Sequence, residues 1–439
     1  MLGSFSSSHE EEEDASDLHL QIPQPSRGFA SPAIRMRQLV ISCAELVSQS
    51  DFSSARRLVS ILSANASPYG DSTERLVHQF ARALSLRLNR YAPTATTRAS
   101  VASGGPLMIP ADSTSTAPAP MPSANESESE ALQSAYLALN QITPFIRFSQ
   151  LTANQAILEA IEGKRAIHIV DLDIMHGVQW PPLMQAIAER SRSDSLHHPP
   201  PMLRITGTGQ DLDLLQRTGD RLLKFAQSLG LRFQFHPLVL LFNDQSATSV
   251  ATLYNLPSAL AILPDETLAV NCVLYLHRLL KDDSRDLLRL FLHKIKAMNP
   301  KVVTVAEREA HHNHPLFLQR FVEALDHYTA VFDSLEATLP PNSRERLAVE
   351  QIWFGREIAD IVAAEGDDRR ERHERFESWE VMLRTSGFSN VPLSPFALSQ
   401  ARLLLRLHYP SEGYHLHILN NSFFLGWQNR PLFSVSSWH

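Results

Sequence analysis

The chain has 439 residues, 44 % hydrophobic and 20 % charged, with a net charge of −7. This is the composition of a soluble globular protein with room for two or three domains, and no apolar run approaches the roughly 18 residues of a membrane span. Two cysteines, Cys43 and Cys272, exclude a disulfide framework and a four-cysteine zinc site.

In chain order, MLGSFSSSHEEEED has neither a basic nor an apolar leader region, so it is not expected to be a secretory signal. Residues 1–31 hold six acids against one base and read as a disordered acidic N-terminus. Ser31-Pro32 marks a helix start, and Leu39, Cys43, Leu46 and Val47 follow at helical spacing. Phe52, Ala55, Leu58, Val59 and Leu62 repeat the pattern, and Asp71-Ser-Thr-Glu74 opens a third helix carrying Leu76, Phe80 and Leu84. Residues 92–130 hold four acids against one base and form a low-complexity insert, read as a linker. Ala131–Leu139 and Asn154–Ile161 are further helices, the latter stopped by Gly163. Three short amphipathic helices cannot close a core alone, so residues 32–165 are expected to form a helical cap on the remainder of the chain.

From Ala166 the pattern changes. Strands are expected at 166–171, 202–207, 231–240, 267–273 and 301–307, with helices at Val178–Arg190 and at Leu212–Leu229 before Gly230. This alternation predicts a mostly parallel sheet with helices on both faces. YHLHIL, FFLGW and PLFSVSSW, separated by Asn420-Asn421 and Asn429-Arg430-Pro431, read as antiparallel strands at the sheet edge. Residues 166–439 are thus expected to be an α/β core.

In such a sheet ligands lie beyond the carboxyl ends of the strands, here Asp171-Leu-Asp173, Gly207-Thr-Gly209, Asn271 and Glu307-Arg-Glu309. A nucleotide or adenosyl-methionine site needs a glycine-rich turn after the first strand, because backbone must approach the cofactor closely. Ile174, Met175 and His176 stand there with only Gly177, so no cofactor is assigned and the mouth of the sheet is expected to be plugged by side chains. Glu307, Glu309, His311, His312 and His314 lack an ordered metal-ligand spacing and read as a solvated loop. Asp171 and Asp173 read as turn caps rather than paired catalytic carboxylates. Arg369, Arg370, Arg372 and Arg375, interleaved with Glu371, Glu374 and Glu377, read as a salt-bridged helix face. Leu276, Leu279 and Leu280 form an LxxLL match, a candidate partner-docking face that is otherwise ordinary core. Trp379, Trp427 and Trp438 read as core anchors. The part outside the two acidic stretches is near neutral, with 34 Arg and 6 Lys, so it is not an indiscriminate polyanion binder, and no Lys/Arg run marks an import signal.

Residues 167–190, IHIVDLDIMHGVQWPPLMQAIAER, resemble the VHIID signature of the GRAS family of plant transcriptional regulators. Ile167, His168, Ile169, Val170 and Asp171 carry it, with Val170 where the signature has a second Ile. Leucine-rich regions flank it, the second at Leu212–Leu280. Pro300, Phe321, Tyr328, Arg356 and Glu357 match the order of the family's PFYRE motif. Arg369–Glu371, Trp379–Gly387 and Trp427–Trp438 match its SAW motif, with Ser437 in place of Ala. TPFIRFSQLTANQAILEA, FDSLEATLPPNSRERL and LHYPSEGY are similar to the lateral suppressor subgroup. No DELLA-type hormone-responsive segment is legible, which argues against a gibberellin-degradable repressor.

The resemblance implies an α/β, Rossmann-like methyltransferase-type core with an α-helical cap. It also implies nuclear localisation, transcription regulation, GRAS homo- or heterodimers, contacts with other transcription factors, and DNA reached directly or through them. In the lateral suppressor subgroup it implies axillary meristem formation. Arg217 and Arg221 are the candidates for phosphate contact in a cap–core groove, and the cap's apolar faces for dimer or partner contact. The alternatives are a methyltransferase-like enzyme and a small-molecule-binding regulator using the same crevice.

Overall fold

Helix starts in the first quarter depend on side chains that satisfy free backbone N–H groups. In this computed structural model, which describes residues 32–91, 124–193, 200–240, 247–282 and 284–439, Pro32 opens α1 (Pro32–Ser48). Asp51 accepts the Ser54 N–H at 3.1 Å at the start of α2 (Phe52–Asn65), and Asp71 accepts the Glu74 N–H at 2.9 Å at the start of α3 (Ser72–Arg90). Residues 1–31 and most of the low-complexity insert lie outside the described residues. The insert ends sooner than the sequence predicts: α4 runs from Ala124 to Ile142 and takes in Ala124–Glu130. Glutamate is a good helix former and suits an N-terminal turn, which outweighs the low-complexity texture. α5 (Pro144–Ala160) also starts earlier than expected, because Pro144 at its first position is itself a start signal.

The α/β part comes next. It comprises β1 (Ala166–Asp171), α6 (Trp180–Ser193), β2 (Met202–Gly209), α7 (Leu212–Leu229), β3 (Arg232–Val239), α8 (Ala247–Leu260) and β4 (Thr267–Val273). It continues with α9 (Asp286–Ala297), β5 (Val302–Arg308), α10 (Phe317–Thr338), α11 (Arg344–Ala348), α12 (Gly355–Ala363) and α13 (Phe376–Thr385). It closes with β6 (Asn390–Val391), α14 (Pro395–His408), β7 (Tyr414–Leu419), β8 (Ser422–Trp427) and β9 (Arg430–Trp438). The sheet order is β3-β2-β1-β4-β5-β9-β8-β7, with β6 paired to β9. The first five strands are parallel and β5–β9–β8–β7 antiparallel, as the sequence predicts. Gly230 ends α7 at φ +72°, and Asn420 and Asn421 turn β7 into β8 at φ +45° and +61°. Among the described residues no helix is long and apolar enough to cross a membrane.

The C-terminal strands extend the edge of the sheet as expected: β9 pairs with β5 and buries Trp438 beside Val303, and β7 is outermost. The helical cap packs with residues beyond 165. Val40, Phe80 and Leu84 share one apolar core with Phe321, Tyr328, Phe354, Ile358 and Phe433, so α10 and α12 complete it. Amphipathic faces on α1–α3 need apolar partners, and these arrive from the far end of the chain. Of the cap residues expected to offer partner surface, Leu62, Phe80 and Leu84 are buried, Leu46 and Leu58 half-buried, and Leu39 exposed.

Candidate functional site: the strand-end crevice

The carboxyl ends of β1, β2, β4 and β5 meet under α4 and the segment that joins α12 to α13. Asp171 closes β1 in a fully packed polar network. It accepts from Asn271 Nδ2 at 2.7 Å and from Trp180 Nε1 at 2.8 Å, and Asn271 exchanges hydrogen bonds with Gln179. Burial pushes its carboxyl up to about 7, against the two donors that favour ionisation. The acid therefore ties β1 to β4 and α6. His168 is buried earlier on the same strand, with Nε2 2.8 Å from Thr206 Oγ1. Ile167 and Ile169, buried on the other face, pack with Trp180 and Leu183 of α6, while Val170 packs with Leu276 and Phe291.

The turn after β1 is not glycine-rich, yet it is tight: Asp173 and Met175 take φ of +65° and +50°, and Gly177 takes +66°. A methyl at Gly207 would meet Ile174 Cδ1 at 2.9 Å and Phe235 Cζ at 2.7 Å, so Ile174 fills the space beside β2. The expected plug is only partial. Met175 borders a remaining cleft of about 240 Å³ lined by Asp173, Gly209, Tyr275, Arg278, Trp353, Arg356, Arg370 and Glu371. The reason is tertiary: α4 and the π-helical turn Val349–Phe354 arch over the strand ends instead of resting on them. Arg278 pairs with Asp173 and Lys281 with Asp367 on its rim, while Arg356 and Arg370 make no ion pair among the described residues.

The later motif residues converge behind this cleft. Glu357 accepts from Tyr328 Oη at 2.9 Å and Arg308 Nη2 at 2.6 Å, all three groups being buried. Phe321 packs edge-on against Phe80, and buried Pro300 precedes β5. Arg369 and Arg372 are buried and share Asp282, whose carboxyl they hold down to about 2 against partial burial. They are not on a helix face, as their spacing predicts, because residues 369–375 form no helix and bury Arg369, Glu371, Arg372, His373 and Glu374 while Arg370 and Arg375 stay exposed. Trp379 donates to Glu374 O, Trp438 to Ser436 Oγ, each at 2.8 Å, and Trp427 packs against Tyr414. Gly387 takes φ +89° after α13.

Two expectations are corrected. Leu276, Leu279 and Leu280 are at most 1 % exposed and lie around a 3-10 turn, so this LxxLL presents no partner face. A 3-10 turn rotates the leucines out of the single stripe that docking needs. The Glu307–His314 run is not solvated: Glu307, Glu309 and His312 are buried, and its members part company. Glu309 accepts the Phe376 N–H at 3.0 Å, and burial raises its carboxyl to about 7, while His311 meets Glu374 at 3.0 Å. Arg217 and Arg221, the candidates for phosphate contact, are exposed on α7 and do not line the 240 Å³ cleft, Arg221 donating to Thr218 Oγ1 at 2.8 Å.

Sequence reasoning missed a buried imidazole–carboxylate cluster. Glu307 accepts the Leu276 N–H at 2.8 Å and lies 2.8 Å from His277 Nδ1. The His277 and His373 rings lie 4.4 Å apart, tilted by 32°, and both face Glu371, and His373 Nδ1 is 3.0 Å from His312 Nδ1. Burial opposes a charge on His277, but Glu307 and Glu371 overcome it and raise the imidazole to about 9. Burial and the His277 charge depress His373 to about 4. No spacing connects a histidine inside LHRLL to one inside ERHER, and only the fold joins them.

Residues 36–439 match the GRAS domain family. The chain is 56 % identical over 410 residues to Scarecrow-like protein 18 of Arabidopsis thaliana, covering 92 % of this chain and 91 % of that one. It is 48 % identical over 419 residues to Protein MONOCULM 1 of Oryza sativa subsp. japonica, covering 92 % and 88 %. The solved structure of SCL7 from Oryza sativa superposes with a TM-score of 0.71 at 34 % identity, covering 92 % of this chain and 99 % of that one.

Proposed function

The chain belongs to the GRAS domain family, and from that premise we propose that it is a nuclear transcriptional regulator of plant development that promotes axillary meristem initiation and shoot branching. It acts through contacts with other transcription factors and as a GRAS homo- or heterodimer, and reaches DNA directly or through those partners. It is a regulator and not an enzyme. The observation that most supports this reading is the likeness to two plant proteins along nearly the whole chain. The use of Asp171 by Trp180 and Asn271 agrees with it, since that acid is occupied in holding the fold.

The test pairs a plant with a protein assay. Disrupting the gene reduces the number of axillary buds, and a fluorescent fusion fills the nucleus. An unchanged bud count, or fluorescence excluded from the nucleus, refutes the reading. Purified protein is titrated with salt against duplex DNA, alone and with nuclear extract. Direct contact through Arg217 or Arg221 predicts that Arg217→Gln or Arg221→Gln lowers the salt slope by about one unit. Binding that requires extract assigns the co-regulator role.

The cleft favours a second reading, a small-molecule-binding regulator. Arg356 and Arg370, two guanidiniums without an ion-pair partner among the described residues, border an apolar wall that includes Leu214, Leu240 and Trp353. Native mass spectrometry of protein from plant tissue tests it: a stoichiometric co-purifying compound, lost on Arg370→Glu, supports it. Calorimetry with adenosyl-methionine decides the methyltransferase alternative, which stoichiometric binding would favour.

A further inference from the structure

The strand ends of β4 and β5 hold a group of ligating side chains that the regulator reading does not use. His277, Glu371 and His373 are 1 %, 7 % and 0 % exposed, and one ligand atom from each lies within 4.8 Å of the others. Glu371 Oε2 is 3.3 Å from His277 Nε2 and 3.2 Å from His373 Nε2. Yet neither Nε2 makes a hydrogen bond, so two fully buried nitrogens are left without a directed partner. Such an atom destabilises a fold, and a native structure rarely leaves two side by side.

The two carboxylate–imidazole separations are those of ligands around one ion. Zinc bound to nitrogen and oxygen at about 2.0–2.1 Å puts neighbouring tetrahedral ligands about 3.3 Å apart. The tautomers agree. Glu307, 2.8 Å from His277 Nδ1, takes that N–H and leaves the Nε2 lone pair free to point inward. His312, 3.0 Å from His373 Nδ1, accepts that N–H and does the same for His373. The charges agree as well. Arg308 already neutralises Glu357, which leaves Glu307 and Glu371 as two buried carboxylates facing the imidazoles. A dication balances them with both histidines neutral.

We propose that His277 Nε2, His373 Nε2 and the Glu371 carboxylate bind one divalent transition-metal ion of the zinc class, with Glu307 and His312 orienting the two imidazoles. Glu371 also borders the 240 Å³ cleft, and water or another oxygen or nitrogen donor completes the coordination. The ion joins the turn after β4 to the 369–375 segment, elements far apart in sequence.

The test uses the full chain without a histidine tag. After chelation and dialysis it is titrated with Co²⁺ and followed by visible absorption, then with Zn²⁺ in competition, and freshly purified protein is assayed for metal by elemental mass spectrometry. The expected result is one equivalent of ion, low-symmetry Co²⁺ bands that Zn²⁺ abolishes, and a melting temperature that falls on chelation and returns with Zn²⁺. Glu307→Gln, which spares the ligands, should weaken binding about 10- to 100-fold. His373→Gln should abolish the Co²⁺ bands. Absence of stoichiometric uptake by the folded parent chain overturns the proposal and leaves a metal-free network with His277 protonated. A folded His373→Gln chain that binds Co²⁺ as tightly as the parent overturns it as well.

Discussion

Replacing Glu357 with leucine tests whether the PFYRE residues act as internal struts. The carboxylate is buried and holds both Arg308 Nη2 and Tyr328 Oη, joining α12, β5 and α10. Removing one partner of a buried ion pair costs about 3–5 kcal/mol, because the other charge stays in a medium that cannot solvate it. The Tyr328 hydroxyl loses its acceptor too, worth about another 1 kcal/mol at the low end for an unsatisfied buried donor. The Phe433 and Phe354 rings, 5.1 and 5.6 Å from the Arg308 guanidinium, offset part of this. The expected loss is thus about 4–5 kcal/mol. For a chain this long the entropy of unfolding is about 0.9 kcal/mol/K, so the melting temperature should fall by about 4–6 °C. Differential scanning fluorimetry reads this directly. The double variant Arg308→Met/Glu357→Leu should recover most of the loss, since an apolar pair needs no solvation. A shift under about 1 °C in the single variant, or a double variant no more stable than the single, refutes the strut assignment.

Other outcomes rest on burial and charge. Trp438→Ala should cost roughly 3–5 kcal/mol, seen as a lower melting temperature, because the ring is fully buried in β9. Leu279→Ala should cost about 2–5 kcal/mol in chemical unfolding and weaken partner capture only in proportion to lost folded protein; selective loss of a partner at unchanged stability would restore the docking role. Asp171 is raised by burial from 3.8 to about 7, so the folded state binds the proton that the unfolded state releases between those values. Its ionisation therefore erodes stability as pH rises from about 4 to 7, and none of that loss occurs below 3.8. Asp171→Asn should start less stable than the parent at about pH 4 and close the gap by about pH 7.5; a constant difference across that range contradicts a buried, proton-holding Asp171.

Local chemistry made much of the fold legible before any coordinates. Asp71 announces a helix by accepting an N–H group that a helix start leaves free. Gly230 announces a stop, and paired asparagines announce a hairpin. The β-branched runs of β1, β2, β4 and β5 read as strands because only residues buried on both faces can be so uniformly apolar. The order of the GRAS motifs carried the family. The Gly-poor turn after β1 marked Ile174 as a side chain where a glycine-rich turn would be bare, and the fold sets it against Gly207.

What the tertiary structure alone decided is where distant side chains meet and how much space lies between them. The sequence placed Arg369 and Arg372 on a salt-bridged surface, whereas the fold threads them inside onto Asp282. It offered Leu276–Leu280 as a docking stripe, whereas a 3-10 turn points those leucines into the core. It read the mouth of the sheet as filled, whereas α4 and a π-helical turn bridge over it and leave a cleft. His277, Glu307, Glu371 and His373 come from three separated stretches and form one buried cluster. Periodicity and capping report on neighbours within a few residues, because a helix turn or a strand pleat is that short. Packing between elements is set by the sum of weak contacts over the whole core, and no local window of sequence contains it.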